Sequence, residues 1–266
     1  MLSRLLPLAL VIFAGPTLIG APEAAAPSAG AMAEALSAKQ SDGASYIRLK
    51  MEVKQGGAVK NALQLQIKSR ASRAGTELVY QVLWPKERKG EAVMLKRSGG
   101  RMASGAVFTP PDSVRPLDAS KMDDPLFGSD LSYEDVIDNF FAWEQQSIVG
   151  TETIDRVNCQ ILESKPGKSA RSSYTSVKTW VDPRRMVPMR VEKFSGNRLV
   201  RRIDTTRVVT DDKGRQIPAN LAVHSGSGDS VTELDGSRIK HNVSFTEDEF
   251  TPEGLKAAGP ARGGAE

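Results

Sequence analysis

The sequence contains few side chains of the types that perform covalent chemistry. Its two histidines, His224 and His241, lie outside any glycine-rich elbow, and each has polar neighbours near a predicted strand. Hydrolysis needs a nucleophile, a base within reach and a group that orients the base. No such set can be identified, so both histidines are predicted to be surface residues and no enzyme activity is expected.

Metal and cofactor sites are not predicted either. A zinc site needs three or four His, Cys or carboxylate ligands at suitable spacing, and the chain offers no convincing set. The pairs Asp123-Asp124 and Asp211-Asp212 fall in predicted loops, where a weak calcium contact is the most that they suggest. Neither glycine-rich phosphate-binding motif occurs.

The only cysteine, Cys159, excludes an internal disulfide. It shares a strand face with Val157 and Ile161, which indicates a buried small hydrophobic residue rather than a reactive thiol.

The chain is rich instead in apolar side chains that recur with the period of a β-strand. Such alternation places each apolar set on one face and its polar neighbours on the other. The apolar sets are Leu63, Leu65 and Ile67; Leu78, Tyr80, Val82 and Trp84; and Met189 and Val191, whereas Gln64, Gln66, Lys68, Arg190 and Glu192 are predicted to face solvent.

A single helix is predicted among these strands, between Leu126 and Trp143. Ser132 and Asp135 have the spacing of a capping box. Tyr133, Val136, Ile137, Phe140 and Phe141 follow at helical spacing, with Glu134, Asp135, Asp138 and Asn139 turned away. The stripe is typical of a helix packed on a sheet, and it also fits a lid over an apolar hollow.

The order of these elements predicts a mainly β protein. Short strands separated by Gly, Pro, Asn and Asp turns extend from Tyr46 to Phe245, and a short helix precedes them at Met32–Gln40. Meandering antiparallel strands in this number form one strongly curved sheet or an unclosed barrel. We expect one domain, residues 31–256, followed by a disordered tail, residues 257–266.

The beginning of the chain predicts export. Arg4 and the apolar run Leu5–Ile19 are typical of a signal peptide, residues 1–26, with cleavage between residues 21 and 33. No cysteine near that site could carry a lipid anchor. Lys and Arg exceed Asp and Glu by only 36 to 32, which does not indicate nucleic-acid binding. We therefore expect a soluble periplasmic monomer.

Several motifs resemble the bacterial outer-membrane lipoprotein-sorting family, which is related to the LolA and LolB carriers. The most specific is Leu126–Val136, L-F-G-S-D-L-S-Y-E-D-V. The others are Pro85–Leu95, Val149–Glu152, Cys159–Pro166, Trp180–Asp182, Pro188–Glu192 and Gly196–Arg201, in that order along the chain.

The resemblance covers about Tyr46 to Leu255 and implies an unclosed antiparallel β-barrel with helices and loops over a concave apolar face. It implies that the nine apolar strand residues line a lipid-binding cavity and that Tyr133, Val136, Ile137, Phe140 and Phe141 form its lid. The implied partners are acyl chains of lipoproteins or other lipids, with an inner-membrane transporter as donor and an outer-membrane acceptor.

Three functions fit these features. The first is a periplasmic lipid carrier. The second is a lipid-sensing regulatory module that acts through a protein partner, and the third is an enzyme with an unrecognised site. Lipid in the purified protein would separate the first two from the third.

Overall fold

The computed structural model describes residues 27–72, 75–98, 103–168, 170–226 and 228–257. The predicted signal peptide lies outside these ranges, as does residue 258 onward of the predicted tail. Within these ranges there are three α-helices: α1 (Ala29–Gln40), α2 (Tyr133–Ile137) and α3 (Pro252–Ala257). None of the helices in these ranges is both long enough and apolar enough to cross a bilayer.

Thirteen strands form one antiparallel sheet within the described residues. They are β1 (Ala44–Gln55), β2 (Ala58–Ser72), β3 (Gly75–Trp84), β4 (Ala92–Arg97), β5 (Ser104–Thr109), β6 (Ser113–Leu117), β7 (Gln145–Ile154), β8 (Val157–Lys165), β9 (Ser176–Asp182), β10 (Val187–Ser195), β11 (Arg198–Thr210), β12 (Gln216–Ser225) and β13 (Ser230–His241).

The strand order leaves the sheet open between two strands that are consecutive in the sequence. It runs β6-β5-β4-β3-β2-β1-β13-β12-β11-β10-β9-β8-β7, so β6 and β7 are the two edges. Pro116 lies within edge strand β6, the position in a sheet where the missing N–H of proline is tolerated. The expected mainly β, unclosed antiparallel architecture is confirmed.

The two faces of the sheet are covered by different parts of the chain. Residues 118–144 connect β6 to β7, and we call them the lid segment. The face that packs against the lid segment and α1 is called the inner face. On the opposite, outer face, Phe250 and Leu255 from the C-terminal turn and α3 cover Val79 and Met94.

The C-terminal cover explains why two polar residues expected in solvent are buried. Gln66 and Lys68 lie on the outer face, as the alternation predicts, but they are only 1% and 4% exposed. Lys68 forms an ion pair with Glu249 at 2.7 Å, and Gln66 donates a hydrogen bond to Gln81. Burial is tolerated here because each polar group has a partner. Gln64 is exposed, while Arg190 and Glu192 are half-buried.

Two apolar residues lie on the opposite face of the sheet from the one predicted, because a β-bulge precedes or contains each of them. Leu65 pairs with Val82, but Gln64 pairs with Trp84, so the register shifts by one residue and Trp84 lies on the outer face, 51% exposed. Between β9 and β10 the register shifts between Pro188 and Arg190. Met189 therefore packs on Cys159 and Trp180, away from the inner face. A bulge inserts one residue and reverses the alternation that follows it.

Candidate functional site

The single helix predicted after Ser132 is divided into two short helical elements in the lid segment. Ser132 accepts a hydrogen bond from the Asp135 N–H at 3.1 Å, and the Ser132 N–H donates to Asp135 Oδ2 at 2.8 Å, so the capping box is formed. The α-helix ends at Asp138, whose backbone is extended. Phe140–Ala142 then form a separate 3-10 turn.

This break divides the predicted apolar stripe between the two walls of the sheet. Tyr133, Val136 and Ile137 pack against Leu78, Tyr80, Val93 and Leu95 on the wall formed by β3 and β4. Phe140 and Phe141 pack against Leu162, Val177, Val181 and Val191 on β8–β10, together with Met32 and Leu36 of α1. The lid segment therefore spans the inner face from one wall to the other.

Seven of the nine predicted cavity residues lie on this inner face. Leu63, Leu65 and Val82 form a cluster that contacts Phe127 of the lid segment. Leu78 and Tyr80 contact the residues of α2, and Val191 contacts the phenylalanines. Ile67 is buried beside them, paired with Tyr80. Trp84 and Met189 are the two exceptions described above. Side chains of the lid segment thus occupy the apolar surface that the resemblance assigns to a ligand.

The predicted orientation of the polar side of α2 is wrong, because Asp135 is buried against the sheet. Its side chain is 0% exposed, and it lies 2.8 Å from Lys193 Nζ and 2.9 Å from Arg201 Nε. The Tyr174 hydroxyl donates a further hydrogen bond to Asp135 at 2.8 Å. Lys193 is itself 1% exposed, so this ion pair is shielded from water on both sides.

Three further carboxylates of the lid segment also face the protein interior. Asp138 pairs with Arg97 at the end of β4, and both side chains are buried. Glu134 accepts hydrogen bonds from Ser172 and Ser173. Asp130 accepts from the hydroxyl of Thr232 on β13 at 2.7 Å, and the Asp130 N–H donates to the same hydroxyl at 2.8 Å. We call Asp130, Glu134, Asp135 and Asp138 the lid carboxylates.

The environment shifts the pKa values of Glu134, Asp135 and Asp138, and the shifts are not all in the same direction. Burial alone would raise the pKa of Asp135, but the charges of Lys193 and Arg201 outweigh it and hold that pKa well below its usual range. Burial raises the pKa of Asp138, and the Arg97 charge offsets only part of the rise. Burial likewise raises the pKa of Glu134 despite its hydrogen bonds from the two serines.

We predict that the stabilisation from Asp135 decreases in acid. Because its pKa is lower in the folded than in the unfolded chain, the contribution is complete above the unfolded value of about 4 and is lost as the pH falls towards the folded value. The difference in free energy of unfolding between wild type and Asp135→Asn should therefore be largest near pH 7. Urea unfolding followed by tryptophan fluorescence at several pH values measures it.

Asp138→Asn provides a control of the opposite sign for this pH series. The pKa of Asp138 is raised on folding, so its ionised form costs stability above the folded-state pKa, and acidification through that pKa removes the cost. The stability of wild type relative to Asp138→Asn should rise as the pH falls. Parallel pH profiles for the two variants would contradict this assignment of the two carboxyl groups.

The two histidines and Cys159 do not belong to the apolar clusters that pack against the lid segment. Cys159 is fully buried on the outer side, as expected for a small hydrophobic residue. His224 is partly exposed, but His241 is mostly buried, 3.2 Å from Asp211. Arg215 also pairs with Asp211, at 2.8 Å, and lies 3.3 Å from His241. Because the Arg215 guanidinium already pairs with Asp211, we assign no metal to the group formed by Asp211, Asp212 and His241.

These features define a class of protein: an open antiparallel barrel whose apolar inner face is covered by a segment of its own chain. A family model described as an uncharacterized protein matches residues 76–257, from β3 to α3, and the chain belongs to that family. No curated protein sequence matches the chain.

Several solved structures share this fold. A DUF1329 family protein from Desulfovibrio piger is 20% identical with a TM-score of 0.77, covering 86% of this chain and 100% of its own. A putative outer membrane lipoprotein-sorting protein domain from Vibrio parahaemolyticus is 18% identical, with a TM-score of 0.76 and coverage of 86% and 98%. A LolA superfamily protein from Nitrosomonas europaea is 18% identical, with a TM-score of 0.66 and coverage of 85% and 98%.

At these identities the similarity establishes the fold. The resemblance to the lipoprotein-sorting family that the motifs indicated is thereby confirmed at the level of the fold, which this chain shares with the Vibrio domain and the Nitrosomonas LolA superfamily protein.

Proposed function

We propose that this protein is a periplasmic carrier that binds acyl chains of lipoproteins or other lipids on its inner face and moves them towards the outer membrane. The observation that carries the proposal is the position of the lid segment on the apolar wall. Leu63, Leu65 and Val82 contact Phe127, and Val191 contacts the phenylalanines, so the surface suited to an acyl chain is covered by residues of one connecting segment.

Burial of the lid side chains and burial of an acyl chain on the inner face contribute comparable free energies. Burial of one Phe-sized side chain contributes roughly 1.5–3 kcal/mol, and each buried methylene of an acyl chain contributes about 0.8 kcal/mol. Several methylenes can therefore replace the apolar contacts of the lid segment without an external energy source. Opening is then a population shift governed by the difference between the two sets of contacts.

The proposed route follows from the predicted export signal and the resemblance. An inner-membrane transporter would supply the lipid, and an outer-membrane acceptor would receive it. The Vibrio neighbour, described as a putative outer membrane lipoprotein-sorting protein, supports this direction. The carrier acts as a monomer and performs no chemistry on its cargo.

The proposal predicts that a lid segment fixed to the sheet cannot admit lipid. Asp130 of the lid segment contacts Thr232 of β13 directly, with their side-chain oxygens 2.7 Å apart. The pair Asp130→Cys and Thr232→Cys, in a Cys159→Ala background, would place two thiols at this contact. We expect the oxidised form to lose binding of a fluorescent fatty acid and the reduced form to regain it.

The two single-cysteine variants are the matched controls, since they lose the same hydrogen bonds but cannot form the crosslink. Their fatty-acid affinity should not depend on reductant. Equal binding by the oxidised and reduced double variant would show that lipid enters without opening of the lid segment. Absence of binding by all forms, wild type included, would contradict the carrier function itself.

A further inference from the structure

Three basic side chains lie where the inner face meets the lid carboxylates. Arg97 ends β4 on one wall of the open barrel. Lys193 and Arg201 are directly opposite each other on the paired strands β10 and β11 of the other wall. All three are at most 13% exposed in their side chains. Basic residues this deeply buried on an apolar wall require a specific counter-charge.

Asp135 supplies that counter-charge to two of the three. Its carboxylate accepts hydrogen bonds from Lys193 Nζ, Arg201 Nε and the Tyr174 hydroxyl, all within 2.9 Å. These three donors belong to the sheet wall and the loop that enters it, whereas the acceptor belongs to the lid segment. A movement of the lid segment therefore separates a complete set of anion-binding donors from the anion that occupies it.

The free energy needed to displace the lid segment depends on whether the ligand carries a negative charge. If an uncharged chain displaced the lid segment, Lys193 and Arg201 would be left without a partner beside hydrocarbon, which is strongly unfavourable. A ligand with its own carboxylate or phosphate can accept the same hydrogen bonds that Asp135 releases. Charge-assisted bonds of this kind are among the strongest that a protein forms.

We propose that Lys193, Arg201 and Tyr174 form an anion-binding site on the inner face, and that the cargo is an anionic amphiphile whose carboxylate or phosphate replaces the Asp135 carboxylate. Arg97, released from Asp138 by the same movement, adds positive charge from the opposite wall. The inference rests on the proposed carrier function and specifies the chemical class of the cargo: acyl chains that end in, or are esterified close to, a negative group.

A purely structural ion pair makes a different prediction. If Asp135 only fastens the lid segment, its pairs break to the same extent for every ligand, and affinity should follow chain length alone. The head group of the ligand should then have no effect. Comparison of ligands with one chain and different head groups therefore separates the two roles.

The first experiment measures the affinity of the wild-type protein for three ligands of equal chain length by isothermal titration calorimetry at pH 8. The ligands are a fatty acid, the corresponding fatty alcohol and the corresponding lysophosphatidic acid. We expect at least one of the two anionic ligands to bind about tenfold or more tightly than the alcohol. Preference between carboxylate and phosphate identifies which head group the site accepts better.

The second experiment replaces one of the two cations that bind Asp135. Arg201→Met removes a donor from the site and keeps an apolar stem on the wall. Arg202→Met is the matched control, because the next residue on β11 pairs with Asp204 and is 40% exposed. We expect Arg201→Met to reduce the preference for the anionic ligand over the alcohol by about tenfold. Arg202→Met should retain the full preference.

Each result bears on one hypothesis. Equal affinity of wild type for the alcohol and both anionic ligands would overturn the anion site and leave the carrier function standing. An undiminished preference for the anionic ligand in folded Arg201→Met would have the same consequence. If none of the three ligands binds, the carrier function fails with it. Should Arg201→Met not fold, as judged by circular dichroism, the wild-type comparison of head groups decides alone.

Discussion

Asp135→Asn is expected to lower the free energy of unfolding by about 3–5 kcal/mol at pH 7, the usual result of removing one member of a buried ion pair. The asparagine keeps the shape of the side chain and can still accept the hydrogen bond from the Ser132 N–H. It cannot neutralise Lys193 and Arg201, which are 1% and 12% exposed. Urea unfolding monitored by circular dichroism measures the loss.

Asp235→Asn is the control for this substitution. Asp235 also pairs with an arginine, Arg207 at 3.3 Å, but both side chains are at least half exposed. Solvent-exposed ion pairs contribute about 0–1 kcal/mol, so this variant should be nearly as stable as wild type. Comparable losses in the two variants would show that burial of the Asp135 pair has no special importance for stability.

Phe140→Ala should also destabilise the protein by about 3–5 kcal/mol, through the cavity left by a large buried side chain. Phe140 is 6% exposed, its ring centroid lies 4.3 Å from that of Phe141, and the Lys193 ammonium lies 5.4 Å from its ring. Thermal unfolding followed by calorimetry measures the change. Val149→Ala, at a site that is 48% exposed on edge strand β7, should change stability by no more than about 0.5 kcal/mol.

The same substitution tests whether the phenylalanines belong to a functional lid. Under the carrier hypothesis, Phe140→Ala and Phe141→Ala weaken the contacts that compete with the acyl chain, so both variants should bind a fluorescent fatty acid more tightly than wild type while the sheet remains folded. Reduced thermal stability with unchanged fatty-acid binding in both variants would mean that the lid segment is only part of the core. The melting curve and the binding curve therefore need to be recorded on the same samples.

Local sequence signals predict much of the fold because strands and helix caps depend on nearby residues. The alternation of Leu63, Leu65 and Ile67 places all three on one face, and the structure has all three on the inner face. Ser132 and Asp135 form the predicted capping box three residues apart. The motif order around these elements is sufficient to indicate the open-barrel fold.

Two kinds of local signal were insufficient. The helical spacing continues from Tyr133 to Phe141, but the helix ends at Asp138 because packing on two separate walls stabilises a break there. Alternation also fails at Trp84 and Met189, since a single bulged residue reverses the faces that follow. The position of a bulge depends on pairing with the neighbouring strand, so it cannot be predicted from the alternation within one strand.

The sequence by itself determined the mainly β architecture, the apolar sets and the place of the lid segment between strands. Only the tertiary structure revealed the site that those elements build. Asp135 meets Lys193 and Arg201 across 58 and 66 residues of chain, and a carboxylate on a short helix is by default expected to face water. Its burial is favourable only because distant strands bring two cations to the same point. Contacts of that kind depend on how the whole sheet folds around the lid segment, and no spacing along the chain encodes them.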